Sequence, residues 1–292
     1  LGDVYKRQGY VRNYGFEAML SYGHRWGDFG WDSSFTFSTN KNEIVELVKD
    51  YIHPESGKTY NVDKLELKTD EGRGFGKAKF ILKEGGTLGD LYTHADLKRD
   101  INGNVLVDND GNVTAIDNAG DIKLGSVLPK ANLAWNNSFS YKGVNVGFLL
   151  TARLGGIAYS ATQAYLDLYG VSETSAAARD AGGVWINGRS RVNPQGFYSV
   201  VASQSGLPTY YTYSATNLRL QEARIGYTIP RRWLGNVCDV NVSLVGKNLW
   251  MIYCKAPFDP EAVATTNNYY QGIDYFMMPS TRNIGFNIKI NF

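Results

Sequence analysis

Residues 280–292 read STRNIGFNIKINF, and from Ile284 to Phe292 every second residue is apolar. Side chains on a strand point alternately to opposite faces, so one face here is apolar and the other carries Gly, Asn and Lys. A strand of a soluble β-sandwich can show the same alternation. The aromatic end and a length of about 9–11 residues favour a transmembrane strand. Because such a strand needs neighbours that pair its backbone, the rest of the chain must supply a sheet.

The composition supports a β-rich protein and argues against two other classes. The 292 residues include 20 Tyr, 13 Phe, 6 Trp and 32 Gly, which suits a barrel with aromatic girdles or a carbohydrate-binding sandwich. The net charge of +2 gives no electrostatic support for a nucleic-acid partner. No apolar run reaches the roughly 18 residues that a transmembrane helix needs.

The start of the chain does not fit the strand pattern. It begins at Leu1 and shows neither the charged nor the apolar segment of a signal peptide. Residues 1–8, LGDVYKRQ, resemble translated sequencing adapter, so we treat them as a non-native leader. We therefore expect residues 9–292 to be the C-terminal part of a longer protein.

Alternating segments like the terminal one recur along the chain. Strands are predicted at 10–22, 29–39, 130–141, 144–154, 217–229, 238–248 and 284–292, and the stretch 77–92 reads as one broken strand or a small hairpin. The apolar phase shifts between Leu220 and Ala223, which predicts a β-bulge near Gln221.

The connections between these strands alternate in length. Those at 23–28, 142–143 and 230–236 are short, whereas those at 43–76, 157–213 and 250–279 are long loops. Transmembrane barrels have short periplasmic turns and long extracellular loops, and a soluble sandwich has no reason to separate connections in this way. The pattern predicts an all-β fold, an antiparallel portion of a transmembrane β-barrel. Because strands must alternate in direction, it also predicts a further hairpin between 77 and 129 and about eight to ten strands in all.

Metal and enzyme signals are weak. The string DNDGN at 108–112 resembles part of a calcium loop, but an EF-hand reading would make Leu106 the first ligand, so a β-turn is the better account. The three histidines, His24, His53 and His94, lack metal-ligand spacing, and no GxSxG motif occurs. We predict neither a cofactor nor an enzymatic activity.

From residue 217 onward the sequence resembles the C-terminal end of the SusC/RagA-type TonB-dependent outer-membrane transporters. The similar stretches are NLRLQEARIGYTIPRRWL (217–234), VSLVGKNLWMIYCKAPFDPEA (242–262) and MPSTRNIGFNIKINF (278–292). The family-motif positions are Asn248, Leu249, Trp250, Asp259, Pro260, Glu261 and Arg282. Residues 86–111 and 124–146 also resemble the family. The sequence departs from it at 256–258, where Ala-Pro-Phe replaces a common glycine.

The resemblance implies a 22-stranded barrel that is plugged by an N-terminal domain. It further implies an outer-membrane location, surrounding lipid, a SusD-like surface lipoprotein as lid, and an oligosaccharide or peptide substrate. Contact with the TonB complex would run only through the N-terminal part that this chain lacks. The alternative function is a soluble carbohydrate-binding β-sandwich module.

Three groups of residues are candidates for function. Polar side chains expected to face the lumen are Glu17, Asp32, Arg153, Glu222, Arg224, Asp239, Lys247 and Lys289. Aromatic residues of the long loops, expected to contact substrate or the lid protein, are Trp185, Tyr210, Tyr211, Tyr269 and Tyr270. Each group has a plainer reading, solvation of the lumen or packing within the loops. The terminal Phe292 is the candidate outer-membrane insertion signal.

The barrel hypothesis makes three structural predictions. The outer face carries Phe35, Phe37, Phe139, Phe148, Val242, Leu244, Phe286 and Ile288, which a sandwich would instead bury between sheets. The sheet stays open, with no ladder between 10–22 and 284–292. Cys238 and Cys254 stay unbridged, because a strand separates them by roughly 35 Å and a disulfide needs Cα atoms within about 7 Å.

Overall fold

The computed structural model of the protein describes residues 9–53, 56–67, 77–263 and 271–291. The predicted leader at 1–8 lies outside these ranges. In chain order the strands are β1 (Tyr10–Trp26), β2 (Phe29–Glu46), β3 (Val48–Ile52), β4 (Thr59–Val62), β5 (Lys64–Glu66), β6 (Lys79–Lys83), β7 (Asp90–Thr93), β8 (Asp96–Leu97), β9 (Ala115–Ile116), β10 (Ile122–Ser126), β11 (Ala131–Tyr141), β12 (Val144–Leu154), β13 (Ile157–Ser160), β14 (Val184–Ile186), β15 (Ser190–Val192), β16 (Thr212–Ser214), β17 (Asn217–Ile229), β18 (Asp239–Cys254), β19 (Ile273–Asp274) and β20 (Asn283–Asn291). The helices are α1 (Ala161–Leu168), α2 (Glu173–Asp180), α3 (Pro194–Val201) and α4 (Pro208–Tyr211), and 3-10 turns occur at Ser203–Ser205 and Arg231–Leu234.

Seven long strands form one sheet, which we call the wall. Their order is β1-β2-β11-β12-β17-β18-β20, and every neighbouring pair is antiparallel. All seven predicted strands are present. Three of them extend further than predicted, to Trp26, Glu46 and Cys254.

One face of the wall, the apolar face, is hydrophobic from strand to strand. The register aligns a single row across six strands, namely Trp31, Phe139, Val146, Ile225, Leu244 and Phe286. Such cross-strand pairs of aromatic and branched residues stabilise a sheet. The eight residues predicted for the outer face all lie on this face, and none of them is buried. No second sheet covers the apolar face within the described ranges, which argues against a sandwich.

The apolar face contains polar groups whose hydrogen bonds come from tryptophan. The Trp31 indole Nε1 donates to Asn137 Oδ1 at 3.1 Å, and the Trp135 Nε1 donates to Ser33 Oγ at 3.0 Å. Asn137 is buried beneath its neighbours. Both indole N–H groups thus have partners on this face, as an apolar environment requires, whereas the buried Asn137 Nδ2 has no hydrogen-bond partner among the described residues.

The predicted β-bulge is confirmed. Glu222 lies opposite Leu149 and Leu220 lies opposite Leu150, so Gln221 has no partner on β12. On the other side, Leu220 lies opposite Trp250 and Glu222 opposite Lys247. The extra residue restores the apolar phase of the second half of β17.

The strands of the wall have their short turns at one end and their long connections at the other end; we call these the short-turn end and the long-connection end. Short turns follow β1, β11 and β17, and the turn after β11 has positive φ at both Lys142 and Gly143, as in a type I′ hairpin. The long connections, 47–130, 155–216 and 255–282, all lie at the opposite end of the strands. The predicted separation of connections by length is therefore confirmed.

The predicted strand count needs correction. The stretch 77–129 contains the hairpin β6–β7, but this hairpin belongs to a small sheet ordered β10-β7-β6-β5 and not to the wall. Because β2 already pairs with β11 in the antiparallel sense, no extra pair of wall strands is needed. The sheet has seven wall strands where eight to ten were predicted. The miscount came from treating 77–92 as part of the wall.

The stretch 157–213, predicted as a loop, contains all four helices. Ser160, Ser172 and Asn193 cap the first three by accepting hydrogen bonds from backbone N–H groups of the first turn. Pro194 also occupies the first turn of α3. The prediction of a loop over this stretch is therefore wrong, since its capping residues start three helices.

The main hydrophobic core lies outside the wall. Buried residues of all three long connections pack together, including Phe80, Leu97, Tyr159, Val201 and Ile273. We call these three connections the cap. Burial in the cap and exposure on the wall are the reverse of what a water-soluble sheet protein shows.

The edges of the wall are β1 and β20, and the described residues form no ladder between them, as predicted. Cys238 and Cys254 are free thiols, which confirms the third prediction. No helix within the described ranges combines the length and apolar character needed to cross a bilayer.

Candidate functional site

The second face of the wall, the polar face, carries every residue predicted to face the lumen. The register aligns Glu17 with Ser38, Asn132 and Arg153 in one row, and Asp32 with Ser138, Gly147 and Arg224 in another. Glu222 and Lys247 lie directly opposite each other. Asp239 and Lys289 lie on the same face, nearer the short-turn end of the strands. The polar face is thus a mixed-charge surface of a single sheet.

Several of these side chains already have protein partners. Arg224 Nη2 donates to Ser138 Oγ at 3.3 Å, and Arg153 Nη2 donates to the Val127 carbonyl at 2.8 Å. At the short-turn end of the strands, Arg231 Nε and Asp239 Oδ2 form an ion pair 3.3 Å apart. Arg153 therefore links the wall to the cap, Arg224 makes a contact within the wall, and Asp239 pairs with a residue of the short turn between β17 and β18.

Three of the family-motif residues converge on an arginine that the sequence analysis did not select. Arg219 Nη1 donates to Asn248 Oδ1 at 2.7 Å, and its Nη2 donates to Asp259 Oδ1 at 2.7 Å. Glu261 Oε2 lies 3.4 Å from the same nitrogen. We call these four residues the latch. Because the Arg219 side chain is only 5% exposed, the two carboxylates supply charge that a buried guanidinium needs.

The backbone conformation at position 248 favours asparagine. Its φ is +52°, a left-handed conformation that asparagine tolerates better than most residues. Its side chain also donates to the Thr281 carbonyl at 3.1 Å, just before β20. Asn248 thereby links β17, β18 and the approach to the terminal strand.

The Asp259 carboxyl is tuned by the latch. Burial alone would raise its pKa, but hydrogen bonds from Arg219 and Ser280 outweigh that effect and hold the pKa below its usual value. The carboxylate is therefore ionised at neutral pH and pairs with Arg219.

The remaining family-motif residues, Trp250, Leu249, Pro260 and Arg282, are not part of the latch. Trp250 lies opposite Leu220 on the apolar face, and the Leu249 side chain covers Gly246, where an added Cβ would lie 2.6 Å from it. Pro260 is buried within the latch segment, and Arg282 is exposed before β20. Phe292 lies outside the described residues.

The cap contains a cavity that gathers three of the predicted loop aromatics. Trp185, Tyr210 and Tyr211 line it, and the cavity volume is about 440 Å³. The remaining lining residues come from α1, α2, α3 and neighbouring segments: Val105, Asp167, Thr174, Val184, Ile186, Asn187, Phe197, Tyr198, Val201 and Tyr213. We call this space the aromatic cavity. The predicted Tyr269 and Tyr270 lie outside the described residues.

A buried carboxylate forms part of the cavity lining. Asp167 accepts hydrogen bonds from the Ser172 hydroxyl and, at 2.9 Å, from the Tyr211 hydroxyl. Both donors are neutral, and within the described residues Asp167 forms no ion pair. The carboxylate is thus buried without a compensating cation.

Three tyrosines of the cavity lining, Tyr198, Tyr211 and Tyr213, are within electrostatic reach of this carboxylate. Burial and the charge of Asp167 raise the pKa of Tyr198 and Tyr211, and they raise the pKa of Tyr213 to about 12. All three hydroxyls are therefore protonated at neutral pH. Tyr198 is only 8% exposed, yet neither its hydroxyl nor that of Tyr213 is among the described buried side-chain atoms that lack a hydrogen-bond partner.

Fixed packing holds the aromatic rings in place. Phe197 meets Tyr198 and Tyr210 edge to face, with ring centroids 5.3 and 6.1 Å apart. Gly206 has φ +87°, and a Cβ there would lie 2.5 Å from the Tyr211 ring. A larger residue at 206 would displace Tyr211 from the cavity.

The rim of the cavity carries an exposed indole. Trp185 is 57% exposed, and the Arg191 guanidinium lies 5.0 Å from its ring centroid. Asn187 joins the rim to the first long connection, because its amide bonds the N–H and the carbonyl of Val105.

Sequence reasoning missed Arg219, Asp167, Tyr198 and Arg191 as members of these sites. Arg219 lies on the polar phase of β17, so its alternation was visible but its partners, 29 and 40 residues away, were not. Asp167 lies in a helix that was predicted as loop.

The DNDGN stretch is a turn, as predicted. Asp108 Oδ1 accepts from the N–H groups of Asp110 and Asn112, and Gly111 has φ +81°. Within the described residues no group of three or more His, Cys, Asp or Glu side chains is arranged to hold a metal ion.

Comparisons with known proteins agree with this architecture. No family model matches the chain. The curated TonB-dependent receptor P3 of Formosa agariphila is 25% identical over 289 residues, which cover 90% of this chain and 27% of the receptor. TonB-dependent receptor P26 of the same organism is 25% identical over 308 residues, covering 97% of this chain and 29% of the receptor. The chain therefore spans less than a third of the length of these relatives.

Solved structures show the same fold. A chain of the RagAB peptide transporter aligns with a TM-score of 0.65 and 17% identity, over 98% of this chain and 30% of that chain. The RagAB peptide importer in its closed-closed state aligns with a TM-score of 0.65 and 18% identity, over 98% of this chain and 30% of that chain. Its open-open state aligns with a TM-score of 0.57 and 17% identity, over 97% of this chain and 29% of that chain. The resemblance to TonB-dependent receptors and the antiparallel barrel-type fold expected from the sequence are thereby confirmed.

Proposed function

We propose that this chain, which resembles one segment of TonB-dependent receptors, forms part of the barrel wall of an outer-membrane nutrient importer. The observation that carries the proposal is the two-faced wall, whose apolar face is uncovered and whose connections are separated by length. In this arrangement the apolar face contacts lipid, the short turns are periplasmic and the cap is extracellular. Residues 9–292 then act as one barrel segment.

The polar face would line the lumen. Its side chains of both signs, such as Glu222 and Lys247, would hydrate the passage and contact a plug domain. The latch would hold the third long connection against the wall beside this passage. Contact with TonB would be made by a part of the receptor other than residues 9–292.

The cargo would be an oligosaccharide or a peptide, delivered with a SusD-like surface lipoprotein as lid. The solved relatives are a peptide transporter, which supports the peptide alternative. The loop aromatics Trp185, Tyr210, Tyr211, Tyr269 and Tyr270 would contact the cargo or the lid. Transport and not catalysis is proposed, because the curated relatives are receptors.

A soluble carbohydrate-binding sandwich is the weaker alternative. It requires the apolar face to pack against a second sheet, yet Leu244, Phe286 and Ile288 are each more than half exposed. A soluble protein would leave a continuous hydrophobic surface in water.

Deletion of the gene in the source cell tests the importer proposal. Uptake of a fluorescent oligosaccharide series and of a fluorescent peptide series is measured with and without the gene, and a plasmid copy serves as control. Loss of uptake of one series, restored by the plasmid, is expected. Unchanged uptake of both, with the protein present in the outer membrane of the parent, would contradict the proposal.

A further inference from the structure

We propose that the aromatic cavity binds its ligand through a primary ammonium group, such as the amino terminus of a short peptide. The inference deepens the proposed function, because it selects one cargo class for a site in the cap. It rests on the charge, the hydrogen-bonding groups and the aromatic faces that line the cavity.

The charge balance of the cavity points to a cation. Asp167 is 6% exposed and is hydrogen-bonded only by the neutral hydroxyls of Ser172 and Tyr211. A buried carboxylate is costly unless an opposite charge compensates it. The nearby Arg179 does not serve this purpose, since its Nη1 donates to the Gly170 carbonyl at 2.9 Å and faces Ser175.

The hydrogen-bonding groups suit an ammonium group in particular. An ammonium carries three donors and no acceptor. Asp167 offers the charged acceptor, and the neighbouring side chains of Tyr198 and Tyr213, whose hydroxyls can accept hydrogen bonds, belong to the same lining. A ligand ammonium could therefore donate to the Asp167 carboxylate beside tyrosine side chains that can also accept its N–H groups.

The aromatic faces add a second attraction for positive charge. Rings of Trp185, Phe197, Tyr198, Tyr210 and Tyr211 border the same space. The faces of such rings attract cations, and the attraction grows when the cation is desolvated. A volume of about 440 Å³ lies within the range of small-ligand pockets and accommodates one or two amino-acid residues.

Other ligand classes fit less well. An anionic ligand would face the uncompensated Asp167, while Arg191 at the rim is already stacked on Trp185. A neutral sugar could stack on the rings and bond the hydroxyls, but it would leave the carboxylate without a counter-charge. The cavity therefore favours an amine over a neutral glycan.

Calorimetric titration of the full-length receptor, purified in detergent, tests the proposal with three probes. The probes are the peptide Ala-Phe-Ala-amide, the same peptide with an acetylated amino terminus, and maltotriose. We expect the free-amine peptide to bind about tenfold or more tightly than its acetylated form, the ratio typical for loss of a charged hydrogen bond. Equal binding of the two peptides, tighter binding of maltotriose, or no binding of the free amine would overturn the proposal.

Two variants and a control locate the effect. Asp167→Asn should abolish the preference for the free amine over the acetylated peptide, and Asp180→Asn, at an exposed position on α2, should leave it unchanged. Because Asp167 also orders Ser172 and Tyr211, Tyr198→Phe provides a second variant that spares these bonds. The Tyr198→Phe variant should bind the free-amine peptide roughly two- to tenfold more weakly than the parent does. An unchanged preference in both variants would contradict the assignment.

The outcome is separable from the importer proposal. If the peptides do not discriminate but uptake still depends on the gene, the ammonium site is wrong and the importer stands. If uptake does not depend on the gene, the importer proposal fails whatever the titration shows.

Discussion

At the scale of single residues, the latch gives the family-motif positions a physical role. Asn248 and Asp259 bond the same guanidinium, and Glu261 lies beside it. The motif residues are thus partners of one buried charge, and their identity follows from what Arg219 and a left-handed backbone require.

Substitution of Asn248 separates its two contributions. Asn248→Ala should destabilise the protein by about 3 kcal/mol, because it removes a bond to a charged donor and places alanine at positive φ. Asn248→Gly loses the same bond but adopts the backbone freely, so it should cost roughly 1 kcal/mol less. Thermal unfolding of both variants in detergent checks this. Equal losses would show that the left-handed backbone contributes nothing.

The pH dependence of the latch follows from Asp259. Its folded-state pKa is depressed, so its stabilisation is complete above about pH 4 and is lost as the pH falls through the lower folded-state value. Asp259→Asn should therefore cost on the order of 3 kcal/mol at neutral pH. The stability difference between the parent and Asp259→Asn should shrink as the pH falls below about 3.9, the usual pKa of an aspartate, and it should vanish once the pH is below the folded-state pKa of Asp259. A difference that persists there would argue against an ionic latch.

Which residues meet in the latch and the cavity was only partly predictable. The motif analysis selected Asn248, Asp259 and Glu261, and the loop aromatics included Trp185 and Tyr211. Their shared partners, Arg219 and Asp167, become visible only when segments far apart in sequence are brought together. Local sequence carries no record of those contacts.

At the scale of elements, the wall strands were predictable because alternation is a local property. Each strand shows its two faces within its own residues, and the bulge at Gln221 appeared as a shift of phase. The cap was not predictable in the same way. Its helices, such as α2 and α3, are short and draw their stability from packing in a shared core, so their periodicity is weak.

Neighbouring positions on β18 test the assignment of the faces. Leu244→Lys places a charge on the apolar face and should cost about 2–4 kcal/mol in a bilayer. Ser243→Lys adds the same charge one residue away on the polar face and should be tolerated. The amount of folded protein in the membrane fraction, measured by its resistance to unfolding in cold detergent, reports the difference. Similar levels for the two variants would show that the faces are not distinguished by lipid.

At the scale of the whole molecule, the distribution of burial is the central feature. The cap holds the hydrophobic core, and the wall leaves its apolar face uncovered. The wall also ends in β1 and β20, each with one side unpaired within the described residues. Unpaired backbone groups are not stable in a membrane, so both edges require partners.

The open edges predict the behaviour of the chain by itself. Residues 9–292 refolded in detergent should self-associate through β1 and β20, and sedimentation should show a distribution of oligomers. Proline substitutions on β20, for example Asn287→Pro, should reduce that association because they remove ladder donors. A monodisperse monomer of the unsubstituted chain would contradict open edges.

The most direct test of the wall is a nitroxide scan of residues 240–245 in the full-length protein, reconstituted in a bilayer with Cys238 and Cys254 replaced by serine. Collision rates with oxygen report exposure to lipid, and those with a water-soluble nickel chelate report exposure to water. We expect oxygen to reach labels at Val240, Val242 and Leu244, and the nickel chelate to reach labels at Asn241, Ser243 and Val245. Rates that do not alternate along these six positions, or that show all of them shielded, would contradict a lipid-facing barrel wall.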